Sequence, residues 1–491
     1  GRVLDKDHYG FKRVQTSGEL LATLFRTAWC KMCKEVRSGV RKHISHHKVP
    51  DVLACIRPST ITHAFTYAIS TGNWNKAGGR QNDNHTGISQ VLNRFTVQSA
   101  LSYRTRINVN MGKEGKLSKP RRVHPSQHGS ICPSETPEGQ TCGLVKNQAI
   151  LCRITIGHPP TRVKEAMNRF GVLELEHMYT AQQMRLDTVW CHIMVNGAWF
   201  GVHSDMHALV SHLRELRQSG EISWDTGIFL DARARVVLIR TDGGRVIFPL
   251  LRVHEGFVHP MLHRLVEMVR QEQEACNNGD IWHLCNIRSR QRRIAHCKSI
   301  AARAILEELG DYRTMFDYLH EVGALEWIDG MEQENILVAY TMSELQRDDT
   351  PYTHMQIDPT VFLGFCVFAI PGSNHNQSPR NTYQAAMGKQ AISSGASNQA
   401  LRFDTMVHQL HYPQKPLVCT KLDTLPYCGS DLPAGENCIV AVICESDNQE
   451  DSVRINRAAI DRGLFRSSYY HTMSSEAKRS QHVLDQLRYH R

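Results

Sequence analysis

Apolar residues recur at helical spacing near the start of the chain. Leu21, Phe25, Trp29 and Met32 stand three or four apart, which predicts an amphipathic helix over residues 17 to about 42. Thr16 and Glu19 have capping-box spacing just ahead of Leu20. Thr86 to Arg106 reads as a second helical segment carrying Gln90, Asn93, Arg94, Arg104 and Arg106. Asn108 to Lys119 is rich in glycine and lysine and poor in apolar residues, so it reads as an exposed loop. From Ile150 to about Val258 the pattern shortens to strands. Arg235–Arg240 and Val246–Leu251 are β-rich, and Thr241-Asp242-Gly243-Gly244 between them is a hairpin signal. Residues 260 to 310 turn polar and helical. Tyr312 to Ala339 mixes a short helix with a strand at Asn335–Ala339, Thr353–Ile370 is strand-like, and Ile439-Val-Ala-Val-Ile443 reads as a buried strand. No internal repeat or low-complexity tract interrupts this order. The sum is a mixed α+β protein built from several modules.

Length and composition narrow the class. A chain of 491 residues is too long for one ordinary domain and suits about three. Hydrophobic content of 41% with 22% charged residues fits a folded chain rather than a disordered one. The longest apolar run, Val361 to Pro371, is far short of a membrane span. No secretory pattern opens the chain. The net charge of +10 favours a polyanionic partner, though the charge is spread along the sequence. Cys30 and Cys33 form the only Cys-x-x-Cys among 15 cysteines. With no second pair at ribbon spacing, no zinc site is expected, and thiols such as Cys366 and Cys444 are expected free and buried. His43, His46 and His47 read as a basic cluster, and no glutamate follows His203 to make a zinc-protease motif with His207. The opening at Gly1 and the polar ending SSEAKRSQHVLDQLRYHR read as the edges of an internal piece.

One stretch concentrates the chemistry. His375 to Gln390, HNQSPRNTYQAAMGKQ, holds eight amide, arginine, lysine or histidine side chains and no acid. Pro379 ahead of Arg380 puts the arginine at a turn, and the text from Asn381 to about Gly388 is helix-compatible. Fixed donors without an acid suit a triphosphate or a nucleic-acid backbone. A solvated polar loop has the same composition. Glu450 and Asp451 follow two amides in NQEDS, and alone such a pair is a solvated turn as readily as a metal site.

Together with DKDHYGFKR at Asp5–Arg13, GKLSKPRRVHPSQHGSICPSETPEGQTCGLVK at Gly115–Lys146 and YPQKPL at Tyr412–Leu417, these motifs carry a resemblance. The chain resembles the second-largest subunit of multi-subunit DNA-directed RNA polymerases, of the eukaryotic, archaeal and large-DNA-virus branch. The resemblance implies a protrusion end at 1–61, a fork at 62–148, external regions at 149–290 and 291–345, and the start of a hybrid-binding region at 346–491. It implies nucleotidyl transfer from nucleoside triphosphates to RNA, in a complex with the largest subunit and smaller subunits, on a DNA template and an RNA–DNA hybrid. Arg380 would reach the nucleotide phosphates. Glu450 and Asp451 would face the second of two Mg2+ ions, Asp451 through water, with both ions held mainly by the largest subunit. Glu138 in TPEG would lie near the active site. Gln90, Arg106, Arg121, Lys389 and Gln390 would lie near nucleic acid, and Met111–Leu117 would be a loop at the edge of the bubble. Arg94, Arg104 and Arg122 would either follow them or pair with acids. The implied location is the nucleus, or a viral factory or virion for a viral chain.

Five departures from the family pattern stand out, one of them Arg104 at an apolar position. Ser446-Asp447 replaces Gly-Tyr before NQEDS and shortens the approach by one residue. Arg454 stands at an apolar position, His128 replaces a tryptophan, and Ser393 follows Ala391-Ile392. A buried, unpaired Arg454 would cost several kcal/mol. These changes motivate an alternative, a catalytically degenerate homologue serving as an assembly or nucleic-acid-binding module.

Overall fold

The computed structural model describes residues 5–74, 86–111, 117–175, 190–254, 257–258, 319–320, 323–347, 350–420, 422 and 432–475. The expected helical stretch at 260–310, the tip of the 111–117 loop and the tail from 476 lie outside the described residues. The main helices are α1 (Ser17–Ser45), α2 (Ser59–Thr71), α3 (Val97–Arg104), α4 (Thr161–Arg169), α5 (Met206–Gln218), α6 (Ser378–Gly388) and α7 (Arg457–Asp461). Contacts group the chain into two units. The first comprises residues 1–91 and 106–364, and the second residues 92–105 and 365–491. No described helix is long and apolar enough to cross a membrane.

In the first unit, α1 forms where the periodicity places it, but of the predicted stripe only Met32 is buried. Leu24, Ala28 and Met32 are buried, whereas Leu21, Phe25 and Trp29 are exposed. Leu24 shares a core with Ala68 of α2 and with Trp74, whose indole N–H donates to the Leu20 carbonyl at 3.0 Å. Ala28 and Ala68 are small enough to let the helices close, so the bulkier stripe is left outside, with Phe25 stacked on Trp29 at 5.9 Å. Thr16 takes the N-cap position without a side-chain capping bond, so the expected capping box does not form.

Two sheets follow. The five-stranded sheet runs in the order Leu173–Glu174, Ala198–His203, Cys191–Val195, Val236–Arg240, Gly227–Asp231. Its core joins Ile193, Ile228 and Val237 to Met167 of α4 and to Leu209 and Leu213 of α5. In the six-stranded sheet the long strand Val246–His254 pairs with Arg153–Ile154, Phe257–Val258, Leu325–Asp329 and His354–Met355. The strands on either side of Thr241–Gly244 therefore enter different sheets, and the expected hairpin is absent. Neighbouring backbone captures this turn instead. The Gly244 N–H donates to Thr155 O at 2.8 Å, and Gly244 (φ +80°) lies so close to Val14 that a Cβ would sit 2.6 Å from its carbonyl oxygen. Buried Arg245 then bonds Asp329 at 3.2 Å and the Asp225 carbonyl at 2.5 Å.

A buried charge network links α5 to the second sheet. Arg217, 2% exposed, donates to Glu332 at 2.8 and 2.9 Å and to Glu326 at 3.3 Å. Glu326 also bonds His354 at 3.1 Å and Gln218 at 2.6 Å. Burial opposes ionisation of Glu326, but Arg217 and His354 overcome it and hold the carboxyl well below its usual range.

His128 fills its aromatic slot as a ring. It stacks on Phe362 at 5.5 Å, meets Tyr340 edge-on, and lies 2.6 Å from the Gln356 amide nitrogen. Burial lowers its pKa below the ordinary 6.5. The unfolded chain then binds the proton more readily, so this contribution to stability is present above about pH 6.5 and is lost as pH falls below it. The melting temperature of the chain should drop between about pH 7.5 and 5.5, less steeply in His128→Trp. Parallel profiles for the two proteins would refute this.

The second unit holds α3, α6, α7 and a two-stranded antiparallel sheet, Met406–Leu410 with Ser467–His471. Only residues 97–104 of the expected 86–106 helix are helical, capped by Thr96 Oγ1 accepting from Ser99 N–H at 3.1 Å. Ile439–Ile443 is neither strand nor buried, since Ile439, Val440 and Val442 are at least 77% exposed. Extended apolar sequence becomes strand only when another strand pairs with it, and none does so among the described residues. Thr353–Ile370 divides between the strand His354–Met355 and a short helix, Phe365–Phe368.

Candidate functional site

In the second unit, the HNQSPRNTYQ stretch builds the first turn of α6. Gly372 (φ +64°) turns the chain into a short 3-10 segment, Ser373–His375, and Pro379 starts the helix with its φ already set. Buried Asn381 fastens the two pieces by donating to Ser373 O at 2.8 Å and accepting from the Asn376 amide at 3.2 Å. Arg380 thereby sits exposed in the first turn, its guanidinium 5.4 Å from the Tyr383 ring. Among the described residues it makes no ion pair. A free guanidinium and the positive end of a helix in one place form an anion-binding surface.

Lys389 and Gln390 lie at the other end of α6, the lysine half-buried and the glutamine exposed. The last turn is fastened where Gly388 O accepts the Thr96 hydroxyl at 3.1 Å. Ser393 is fully buried and donates to Phe95 O at 3.0 Å. It is a satisfied structural hydroxyl.

Glu450 and Asp451 form an exposed turn in the same unit, with Glu450 at φ +56°. Asn448 supports it, donating to Ile443 O at 2.8 Å and accepting from Glu445 N–H at 3.1 Å. Ser452 closes the far limb through Gln449 O. Arg454 is neither buried nor unpaired: its side chain is 59% exposed and pairs with Glu445 at 2.8 Å and Asp447 at 3.6 Å. No hydrogen bond or ion pair among the described residues joins Arg380 to either acid.

In the first unit, Glu138 is exposed at the start of a 3-10 turn, Gly139–Thr141. Arg121 braces this turn from below, donating to the carbonyls of Gln140 at 2.6 Å and Cys142 at 2.9 Å. Gly143 (φ +72°) is required here, because a Cβ would lie 2.3 Å from Arg121 O. Lys146 follows, buried, donating to the Tyr9 hydroxyl at 2.9 Å, and burial pushes its pKa down to about 8. Arg106 begins a short strand paired with Val145–Asn147, and Gln90 is exposed, bonding Gly87 O at 2.9 Å. Arg122, and Arg104 in the second unit, are exposed and make no ion pair among the described residues. The structure thus brings Arg121 to the Glu138 turn and sets Arg380 and Lys389 at opposite ends of one helix.

Among the described residues no group of three or more His, Cys, Asp or Glu side chains is arranged for a metal ion. Cys366 is buried, but Cys444 is exposed. Sequence reasoning missed Tyr383, three residues beyond Arg380, and the carboxylates of Glu445 and Asp447 facing Arg454. The spacing of acids and base around NQED was the available signal.

Models of RNA polymerase Rpb2 domain 3, domain 4 and domain 6 match residues 90–154, 193–254 and 366–488, in chain order. The DNA-directed RNA polymerase II subunit 2 of Arabidopsis thaliana is 38% identical over 485 residues, covering 97% of this chain and 37% of the relative. The chain belongs to the Rpb2 family of RNA polymerase second-largest subunits. The RNA polymerase II subunit RPB2 of Encephalitozoon cuniculi is also 38% identical, over 97% of the chain and 38% of its own length. The archaeal subunit Rpo2 of Saccharolobus shibatae is 34% identical, over 96% of the chain and 38% of its own length. The chain therefore spans less than two-fifths of these relatives. The TPEG turn falls within the domain 3 match, and α6 and the acid turn within the domain 6 match.

Proposed function

We propose that this chain forms one side of the active centre of a DNA-directed RNA polymerase, which transfers nucleotides from triphosphates to an RNA 3′ end on a DNA template. The observation that carries the proposal is Arg380, exposed at the positive end of α6 with no acid to neutralise it among the described residues. An arginine suits a triphosphate because its planar fork donates two parallel hydrogen bonds and keeps its charge at any working pH. Tyr383 beneath the guanidinium limits its freedom before the nucleotide arrives.

Glu450 and Asp451 offer hard oxygen donors to Mg2+ at an exposed turn, which fits an ion that prefers carboxylates and water. Two carboxylates do not complete a coordination shell, so the remaining ligands come from the largest subunit. An Mg2+ ion held there would neutralise charge on the leaving pyrophosphate. The chain's own part is to hold the acids at the tip of a closed loop. Glu138 presents a carboxylate on a turn braced by Arg121. Arg106, Gln90, Lys389 and Gln390 meet the hybrid and its edge mainly through backbone contacts. The regional division given by the resemblance, the smaller partner subunits and a nuclear location belong to the same proposal. Three of the departures are accommodated locally, by the pairs of Arg454, the hydrogen bond of Ser393 and the stacking of His128.

A polymerase reconstituted with Asp451→Ala should need more Mg2+. A ligand acting through water is an outer partner of the ion, and losing one lowers metal affinity by roughly 10–100-fold. Mg2+ titration of single-nucleotide addition measures this, and an unchanged half-saturation would remove Asp451 from metal binding.

A further inference from the structure

Two of the departures from the family pattern meet in space. Arg454 Nη1 lies 2.8 Å from Glu445 Oε2 and 3.6 Å from Asp447 Oδ2. One nitrogen therefore ties the outgoing limb of the NQED loop to both acids of its incoming limb. The incoming limb is already locked to itself, because the Asn448 amide donates to Ile443 O and its oxygen accepts from Glu445 N–H. Ser452 reaches across to Asp447 O at 3.3 Å. Glu450 sits at the tip in the left-handed region, φ +56°, a conformation a glutamate holds only when its surroundings enforce it.

The charge count points the same way. Glu445 to Arg454 contains four acids, Glu445, Asp447, Glu450 and Asp451, and a single base. Without that base the like charges would push the limbs apart, and the shortened approach leaves no aromatic side chain to pack against instead.

We propose that Arg454 is a positioning residue, whose ion pairs with Glu445 and Asp447 clasp the loop and present Glu450 and Asp451 in one fixed geometry. The proposal rests on the reading of those acids as metal-facing groups. It makes the arginine and the shortened approach two halves of one device, in which charge pairing replaces apolar packing behind the acids.

The effect of Arg454→Met on Mg2+ dependence has a diagnostic sign. If the arginine were merely a nearby positive charge, its removal would favour a cation and lower the Mg2+ half-saturation. If it positions the acids, removal raises the half-saturation, by about two- to fivefold, the scale of exposed ion pairs. Arg454→Lys keeps the charge and should recover most of the difference.

A second readout does not depend on turnover. Hydrogen exchange of amides 445–452, followed in the assembled polymerase without metal, should quicken by a similar factor in Arg454→Met. In the wild type it should quicken on going from low to high salt, because exposed pairs are screened, and in the variant it should not. Unchanged exchange, or a lowered half-saturation, overturns the clasp. Asp451→Ala in the same assay separates the two ideas. A raised Mg2+ requirement there with no effect of Arg454→Met leaves the metal reading standing and removes the clasp. Faster exchange in Arg454→Met with no effect of Asp451→Ala leaves a loop clasp and removes the metal reading.

Discussion

Arg380→Ala in a reconstituted polymerase is expected to lower kcat/KM for nucleoside triphosphates by about 30–150-fold, or about 2–3 kcal/mol, the range for charge-assisted contacts. The guanidinium is exposed and has no acid partner among the described residues, so its truncation breaks no ion pair within the fold. The loss should then be one of nucleotide contact rather than of stability. It should fall mainly on KM if the phosphates are gripped equally in the ground and transition states, and on kcat if the grip tightens as charge moves. Arg380→Lys retains the charge without the fork and should recover only part of the loss. Elongation kinetics identical to wild type would remove Arg380 from nucleotide contact.

The largest effect on stability is expected at Arg217. Its guanidinium neutralises Glu332 and Glu326 where neither is more than 5% exposed. Arg217→Met strips two buried carboxylates of the cation between them and leaves only the longer contacts of Arg214 to Glu332 at 3.6 Å and Arg252 to Glu326 at 3.4 Å, with His354 beside Glu326, which costs about 3–5 kcal/mol. The urea midpoint of the transition that reports on the first unit measures it. A triple variant that also makes Glu326 and Glu332 apolar should regain much of the loss, because replacing a whole buried network is far milder than breaking it. The pH dependence follows Glu326 and the neighbouring Asp329. Glu326 and Asp329 are held below their ordinary values of 4.5 and 3.8, so their contribution is present above about pH 4.5 and is lost as pH falls below it. In Arg217→Met the part due to Glu326 should shrink, while the part due to Asp329, held by Arg245, should persist. A midpoint within about 0.5 kcal/mol of wild type would show that water reaches the network.

What could be read from the text depended on how local its physics is. The turns at SETPEG, HNQSPRNTYQ and NQEDS were legible because their local shape follows from neighbouring residues. Proline sets φ, glycine admits a turn, and an amide closes on its own backbone. The end of α6 near Gly388 was accordingly legible in the sequence. The strand Leu325–Asp329 was not, since Glu326 and Asp329 are unfavourable in a buried strand until Arg217 and Arg245 arrive from distant sequence.

The sequence by itself determined the family, the order of the motifs, the existence of α1, and both strands around Thr241–Gly244. Tertiary structure decided which face of α1 is buried, because burial follows the small residues that let α2 approach and not the largest apolar stripe. It decided that the two strands part into different sheets, because turn chemistry permits a hairpin while pairing partners choose it. It also decided the meaning of Arg454. A lone arginine at an apolar position reads as damage, and only the folded loop shows the two carboxylates that it joins.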